Sequence, residues 1–273
     1  MSDEPSHTRR RLLKFGAVAP LLALAPLARF AEAGTAQMAA PSRAAGGSTV
    51  TGPSSTEPMI FDALGEIRTV YTMNLVDQIL ASGTRAISIT LTDPKVDQAD
   101  AFDLMMKDLA DYNLYFRKHQ SHYRVARSVM DIEVARRENK LAIFYNIQNS
   151  TPIDKDLSRV ALLKSLGLTA VQLTYNDQNH SGAGCFAKGD TSLTPFGRQL
   201  LDQMASDRML VDLSHAGMKT MADAIAASPR PVIISHTACR ALRKHPRNTT
   251  DENIRALADR GGVMGMAQMR TFM

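Results

Sequence analysis

The sequence predicts a parallel α/β fold, a (β/α)8-type barrel that lacks its last βα unit. Three observations carry that prediction. Short apolar stretches enriched in β-branched residues alternate with segments of helical periodicity, the pattern of strands buried on both faces. The helical segments have recognisable ends. Polar residues recur where the strands finish, the end at which barrel enzymes keep their chemistry. Seven such strands also fit a doubly wound open sheet, which stays open as the alternative.

The elements follow in order. Residues 1–33 carry Arg9, Arg10, Arg11 and Lys14, then an apolar run from Phe15 to Leu27, then Ala31-Glu32-Ala33. A basic start, a short apolar core and a small-x-small site make an export signal, and the run is too short for an ordinary membrane span. The paired arginines followed by Leu12-Leu13-Lys14 are twin-arginine-like, with a Sec signal as the alternative. Residues 34–57 are rich in Gly, Ser, Thr and Ala and read as a flexible linker, or as a tether from an uncleaved anchor. A periplasmic location follows, with membrane attachment only through the leader. The barrel domain is expected over 58–273. Its strands are predicted at Met59–Leu64, Arg85–Leu91, Lys140–Ile147, Leu168–Tyr175, Met209–His215, Pro231–His236 and Val263–Gln268. Phe102, Met105, Met106, Leu109, Tyr112 and Phe116 repeat at helical spacing and predict one buried face. Ser128 with Asp131 reads as a capping box, and Thr194-Pro195 as a cap with proline at the first helical position. Gly83, Gly167 and Gly261 stand where left-handed helix ends are expected.

Composition excludes several classes. With 273 residues, 44% hydrophobic, 16 Gly and 2 Cys, the chain is neither collagenous, disulfide-stapled nor wholly disordered. The net charge is +5, and residues 1–33 hold five basic against three acidic residues, so the remainder is only weakly basic. Nothing in that balance points to nucleic acid.

Two predicted strand ends carry nearly the same signature, Asp212-Leu213-Ser214-His215 and Ile234-Ser235-His236. Neutral imidazoles on adjacent barrel strands converge and coordinate a divalent metal. A single His at a strand end is usually structural; the repeat is what favours a ligand pair. Cys185 and Cys239 fall in loops, where one disulfide and a free pair are equally compatible with an exported chain.

Leu173-Thr174-Tyr175-Asn176, Leu193-Thr194-Pro195-Phe196-Gly197, the two Ser-His segments, Arg247-Asn248-Thr249-Thr250-Asp251 and Gly261-Gly262-Val263 occur in an order that resembles the membrane (renal-type) dipeptidases, zinc metallopeptidases with TIM-like barrels of the amidohydrolase type. The resemblance runs from about Met59 to Met273. It implies a hydrolase of dipeptides or small amides that works with two zincs and an activated water. His215 and His236 match the histidines of the second zinc site, and Arg247 matches the arginine that grips the substrate carboxylate. The first site departs from the pattern. Asp62-Ala63-Leu64-Gly65-Glu66 stands where the family has Asp-Gly-His-Asn-Asp, and Gln148 stands where it has the bridging glutamate. Tyr175 replaces a histidine near the substrate carbonyl and still offers a hydrogen-bond donor. The expectation is therefore one zinc at most, on His215 and His236, helped by Gln148, Glu66 or water. The family's last strand, with its proton-handling aspartate, has no counterpart before Met273. A shortened reading frame, a fragment, or closure of the gap by another chain, including a homo-oligomer, would account for that. The alternative function is a non-catalytic binding or accessory barrel.

Overall fold

The computed structural model describes residues 58–272; the leader and linker expected at 1–33 and 34–57 lie outside the described residues. The chain alternates strands and helices: β1 (Ile60–Gly65), α1 (Met73–Ala81), β2 (Thr84–Thr90), α2 (Gln98–Lys118), β3 (Tyr123–Val125), α3 (Val129–Arg137), β4 (Leu141–Ile147), α4 (Ser158–Leu166), β5 (Leu168–Gln172), α5 (Pro195–Ser206), β6 (Leu210–Asp212), α6 (Met218–Ala227), β7 (Ile233–Thr237), α7 (Asp251–Asp259) and β8 (Val263–Met266). The hydrogen-bonded order is β1-β2-β4-β5-β6-β7-β8, every pair parallel, so the sheet wraps into a nearly closed barrel rather than an open doubly wound sheet.

One strand was not anticipated. β3 lies off the main path and pairs with the N-terminal part of β4, Tyr123 opposite Leu141 and Val125 opposite Ile143. Three residues are too few to display a period, so β3 has no pattern in the sequence. Packing holds it: the Tyr123 ring is buried edge-on against Phe116 of α2, centroids 4.9 Å apart, and Phe116 also meets Tyr145 of β4 at 6.3 Å. Aromatic pairs of this kind contribute about 0.5–1.5 kcal/mol each beyond their burial.

The helix signals are found where expected. The Asp131 carboxylate accepts from the Ser128 backbone N–H and hydroxyl. Thr194 Oγ1 accepts from Gly197 N at 2.9 Å, with Pro195 opening α5 and Leu200 and Met204 buried behind it. Gly83, Gly167 and Gly261 all have positive φ at helix ends. On α2, Met105, Leu109 and Phe116 face the core. Three strands stop short of their predicted ends, β8 finishing at Met266 rather than Gln268. β5 finishes at Gln172 and β6 at Asp212, because Asn176 (φ 59°) and His215 (φ 62°) turn the chain into left-handed backbone just beyond them.

Large aliphatic side chains from strands and helices fill the layer between sheet and helices. The barrel interior is polar toward the C-terminal ends of its strands, with Phe61 and Phe144 in contact below. Asn146 Nδ2 donates to Ser88 Oγ at 2.7 Å, Thr90 Oγ1 donates to Asn146 Oδ1 at 3.1 Å, and Gln172 Nε2 donates to the backbone oxygens of Gln148 and Thr174. Among the described residues, β1 is hydrogen-bonded only to β2, and β8 only to β7. Apolar side chains stay in contact with solvent along these two edges, Ile60 at 52% and Val263 at 66% exposure.

Candidate metal centre and substrate pocket

The ladder between β6 and β7 continues past the strands through Leu213 N to Ile233 O at 2.8 Å, which holds the two Ser-His segments side by side. A tight turn follows, and Cys185 N donates to His215 O at 2.7 Å, so the loop from 176 to 186 is pinned over the ring. His215 Nε2 and His236 Nε2 are 3.0 Å apart.

Their protons can be traced from the hydrogen bonds. The Asp212 carboxylate accepts four: from Ser214 N at 2.9 Å, Ser214 Oγ at 2.8 Å, Ser235 N at 3.0 Å and, closest of all, Ser235 Oγ. Having given its proton to Asp212, the Ser235 hydroxyl can only accept from His236 Nδ1, 2.8 Å away. His215 Nδ1 lies 2.7 Å from Asn176 Oδ1 and donates to it. Both rings therefore carry their proton on Nδ1, and two Nε2 lone pairs face one another. Burial first, then the Arg247 charge, holds the His215 pKa well below the ordinary histidine value. Burial likewise lowers His236, with Asp212 opposing the fall. With the ring protons on Nδ1, no proton lies between the two Nε2 atoms, and a cation placed there would satisfy both. Two nitrogens sharing one tetrahedral zinc at about 2.0–2.1 Å stand roughly 3.3 Å apart, so the pair fits one such ion within a few tenths of an ångström.

The remaining donors are sparse. Gln148 lines the same cavity, its Nε2 given to Thr90 Oγ1 at 2.9 Å and its side-chain carbonyl without a hydrogen-bond donor among the described residues. Glu66 also reaches the cavity, but its carboxylate is taken by Arg68 at 2.7 Å on the surface. Leu64 offers only hydrocarbon. Among the described residues, no group of three or more His, Cys, Asp or Glu side chains could hold a metal. Cys185 and Cys239 are free thiols rather than a disulfide, and burial raises the Cys185 pKa to about 11, so it remains a thiol.

Arg247 is 3% exposed and has no carboxylate within ion-pair distance among the described residues. Its Nη2 donates to His236 O at 2.9 Å, its Nε is buried without a partner, and the Phe272 ring lies 5.2 Å away. A buried guanidinium that has spare donors and feels the Asp212 charge only at a distance is suited to receive an anion. Tyr175 stacks on His215, centroids 4.1 Å apart, with burial raising its phenol pKa, so the hydroxyl stays protonated and able to donate. The imidazole pair, Arg247, Tyr175 and Gln148 share one cavity of about 780 Å³ that runs down between β1 and β8. Asp212, Ser235 and Asn176 were not singled out in the sequence as site residues; the repeated Ser-His doublet was the available signal for the first two.

Residues 76–273 match the membrane dipeptidase family, peptidase family M19. An amidohydrolase from Pseudomonas aeruginosa, known from its crystal structure, is 30% identical with a TM-score of 0.69, over 76% of this chain and 62% of that one. An uncharacterized protein from the pqqA 5′ region of Klebsiella pneumoniae is 28% identical over 61% of this chain and 64% of its own length. An uncharacterized dipeptidase of Schizosaccharomyces pombe is 32% identical over 49% of this chain and 33% of its own length. The chain thus spans less than two thirds of the length of each of these relatives. With the family match covering well over half of its residues and the barrel shared, the chain belongs to the membrane dipeptidase family of metallopeptidases.

Proposed function

We propose that this chain carries the centre of an exported hydrolase that cleaves a dipeptide or small amide with one divalent cation, zinc in the first instance, held by His215 and His236 with the Gln148 carbonyl nearby. The observation that carries the reading is the approach of His215 Nε2 and His236 Nε2 to 3.0 Å, with an acceptor beside each Nδ1. When bound, the cation supplies a Lewis acid for the scissile carbonyl and acidifies water. Arg247 takes the substrate carboxylate with the donors it does not spend on His236 O, and its burial from water strengthens that contact. The Tyr175 hydroxyl donates to an oxygen of the substrate. Leader-directed export to the periplasm is part of the same proposal.

The test is metal analysis of the full chain together with a panel of dipeptides, with zinc added and then chelated. One zinc per chain and chelator-sensitive turnover are expected; two zincs contradict the single-site reading, and no turnover retires the enzyme. Arg247→Lys keeps the charge and loses the planar fork, so KM for substrates with a free carboxylate should rise about 10–100-fold, the worth of a charged hydrogen bond of roughly 1.5–3 kcal/mol. A C-terminally amidated dipeptide should be indifferent to the change. A second reading, a binding barrel without catalysis, is favoured by Leu64 and by the missing third His, Cys, Asp or Glu ligand among the described residues. It requires that dipeptide raise the melting temperature while no metal is found.

A further inference from the structure

Asp212 is buried behind the imidazole pair, does not line the cavity, and reaches no ring directly. Its effect on the pair follows from the direction of one hydroxyl. With the carboxylate present, Ser235 donates to it and must accept from His236 Nδ1. Without that acceptor the hydroxyl is free to turn and donate to Nδ1, which moves the ring proton to Nε2. A His236 Nε2–H would then point at His215 Nε2, 3.0 Å away, and the rings would satisfy one another by an ordinary hydrogen bond. The same two side chains thus form either a closed pair with no lone pair to give or an open pair that needs a cation, and the hydrogen bond on the far nitrogen decides which.

We propose that Asp212 is a positioning residue that, through the Ser235 hydroxyl, keeps His236 in its Nδ1–H tautomer and so prevents the two histidines from closing on each other. The affinity part rests on the metal-dependent reading given above; the tautomer part stands on the apo protein alone. Asn176 does the same for His215 from the opposite side, donor to acceptor at 2.7 Å. Asp212 adds a second hold: Ser214 Oγ, which donates to it, accepts His236 N at 3.0 Å and fixes the backbone that carries the ring. Outer-shell partners of metal-binding histidines typically affect metal affinity 10–100-fold.

The experiment uses the full chain with 15N-labelled histidine, stripped of metal, and reads both ring nitrogens by NMR through their coupled ring protons. In the unaltered protein His236 should show a protonated Nδ1 and an unprotonated Nε2. In Asp212→Asn and Ser235→Ala the proton should appear on Nε2, and zinc affinity, measured by competition with a chromophoric chelator, should fall about 10–100-fold. Ser235→Thr keeps the hydroxyl and should restore both readouts to within about threefold of the unaltered protein. Thr194→Ala, a comparable loss of stability far from the rings, should move neither. If Asp212→Asn does not fold, Ser235→Ala and its threonine rescue decide alone. A His236 ring already protonated on Nε2 in the unaltered protein overturns the proposal, as does Ser235→Ala with the Nδ1 proton and zinc affinity retained. The expected tautomers with no zinc uptake by the unaltered protein overturn the metal-dependent reading and the affinity half of this proposal with it.

Discussion

Replacing Gly184 by alanine should damage the proposed metal centre and the fold together, by amounts that can be worked from the close approach at that position. A Cβ there would stand 2.3 Å from both the carbonyl carbon and oxygen of Asn176 and 2.6 Å from Asp177 O. All three are backbone atoms, so no rotamer change relieves the clash, and the two chain segments must part by about 1 Å to reach ordinary contact. Gly184 N donates to Asp177 O at 3.0 Å and Phe186 N to Asn176 O at 2.8 Å, and both bonds lengthen as the segments part. Overpacking costs about 1–3 kcal/mol and each of the two weakened backbone hydrogen bonds about 1 kcal/mol, for a total of roughly 3–5 kcal/mol. For a domain of this size that lowers the melting temperature by about 6–20 °C. The same displacement carries Asn176 Oδ1 away from His215 Nδ1, now 2.7 Å distant, and frees that ring's tautomer. Zinc affinity should then fall about 10–100-fold. Thermal melts and chelator competition measure the two effects. Gly189→Ala is the control: its φ of +98° makes alanine strained, but its Cβ meets nothing within 4 Å. It should cost about 1–2 kcal/mol and leave zinc affinity unchanged. A Gly184→Ala protein that melts within a degree of the unaltered chain, or binds zinc as tightly, would refute the reasoning.

Stability of the metal-free protein should fall on acidification below about pH 6.5. His215 and His236 are held neutral by burial and Arg247, so the unfolded chain binds protons there while the folded chain does not. The stability these residues contribute is present above the unfolded value of 6.5 and is lost as pH drops towards their depressed folded values. Urea midpoints at pH 7.0, 6.0 and 5.0 read this above the range where most carboxylates titrate, and a flat or rising trend would mean that the rings are charged in the fold. Thr194→Ala removes the acceptor for Gly197 N at the start of α5 and should cost about 1 kcal/mol in a denaturant titration, with m unchanged.

The barrel was legible because its signals are local and repeated. Thr194-Pro195, Ser128 with Asp131, and the glycines at 83, 167 and 261 each act within a few residues, and the structure places every one at the helix end it marks. β3 was not legible, since Tyr123 is held by Phe116 through contact rather than by any pattern of its own. The convergence of His215 and His236 could be anticipated from two strand ends with the same residues in the same order. The residues that orient them could not. Asn176 reaches His215 across 39 positions, and Asp212 acts on His236 through another side chain. Glu66 shows the opposite limit: it stands just past β1 where the resemblance has an aspartate, whereas its carboxylate pairs with Arg68, two residues on, at the surface.

The left-handed backbone at Asn176 and His215 has a consequence for how the molecule fails. Each conformation is one that a free chain seldom visits, and holding it stores on the order of 1 kcal/mol. That tension is discharged when the loops around 176–186 and 213–217 swing open, an event that leaves the sheet and its helices standing. Local opening should therefore need less free energy than global unfolding, and amide hydrogens in these loops should exchange faster than those of β4. On warming, the two imidazoles should lose their alignment while the barrel is still folded.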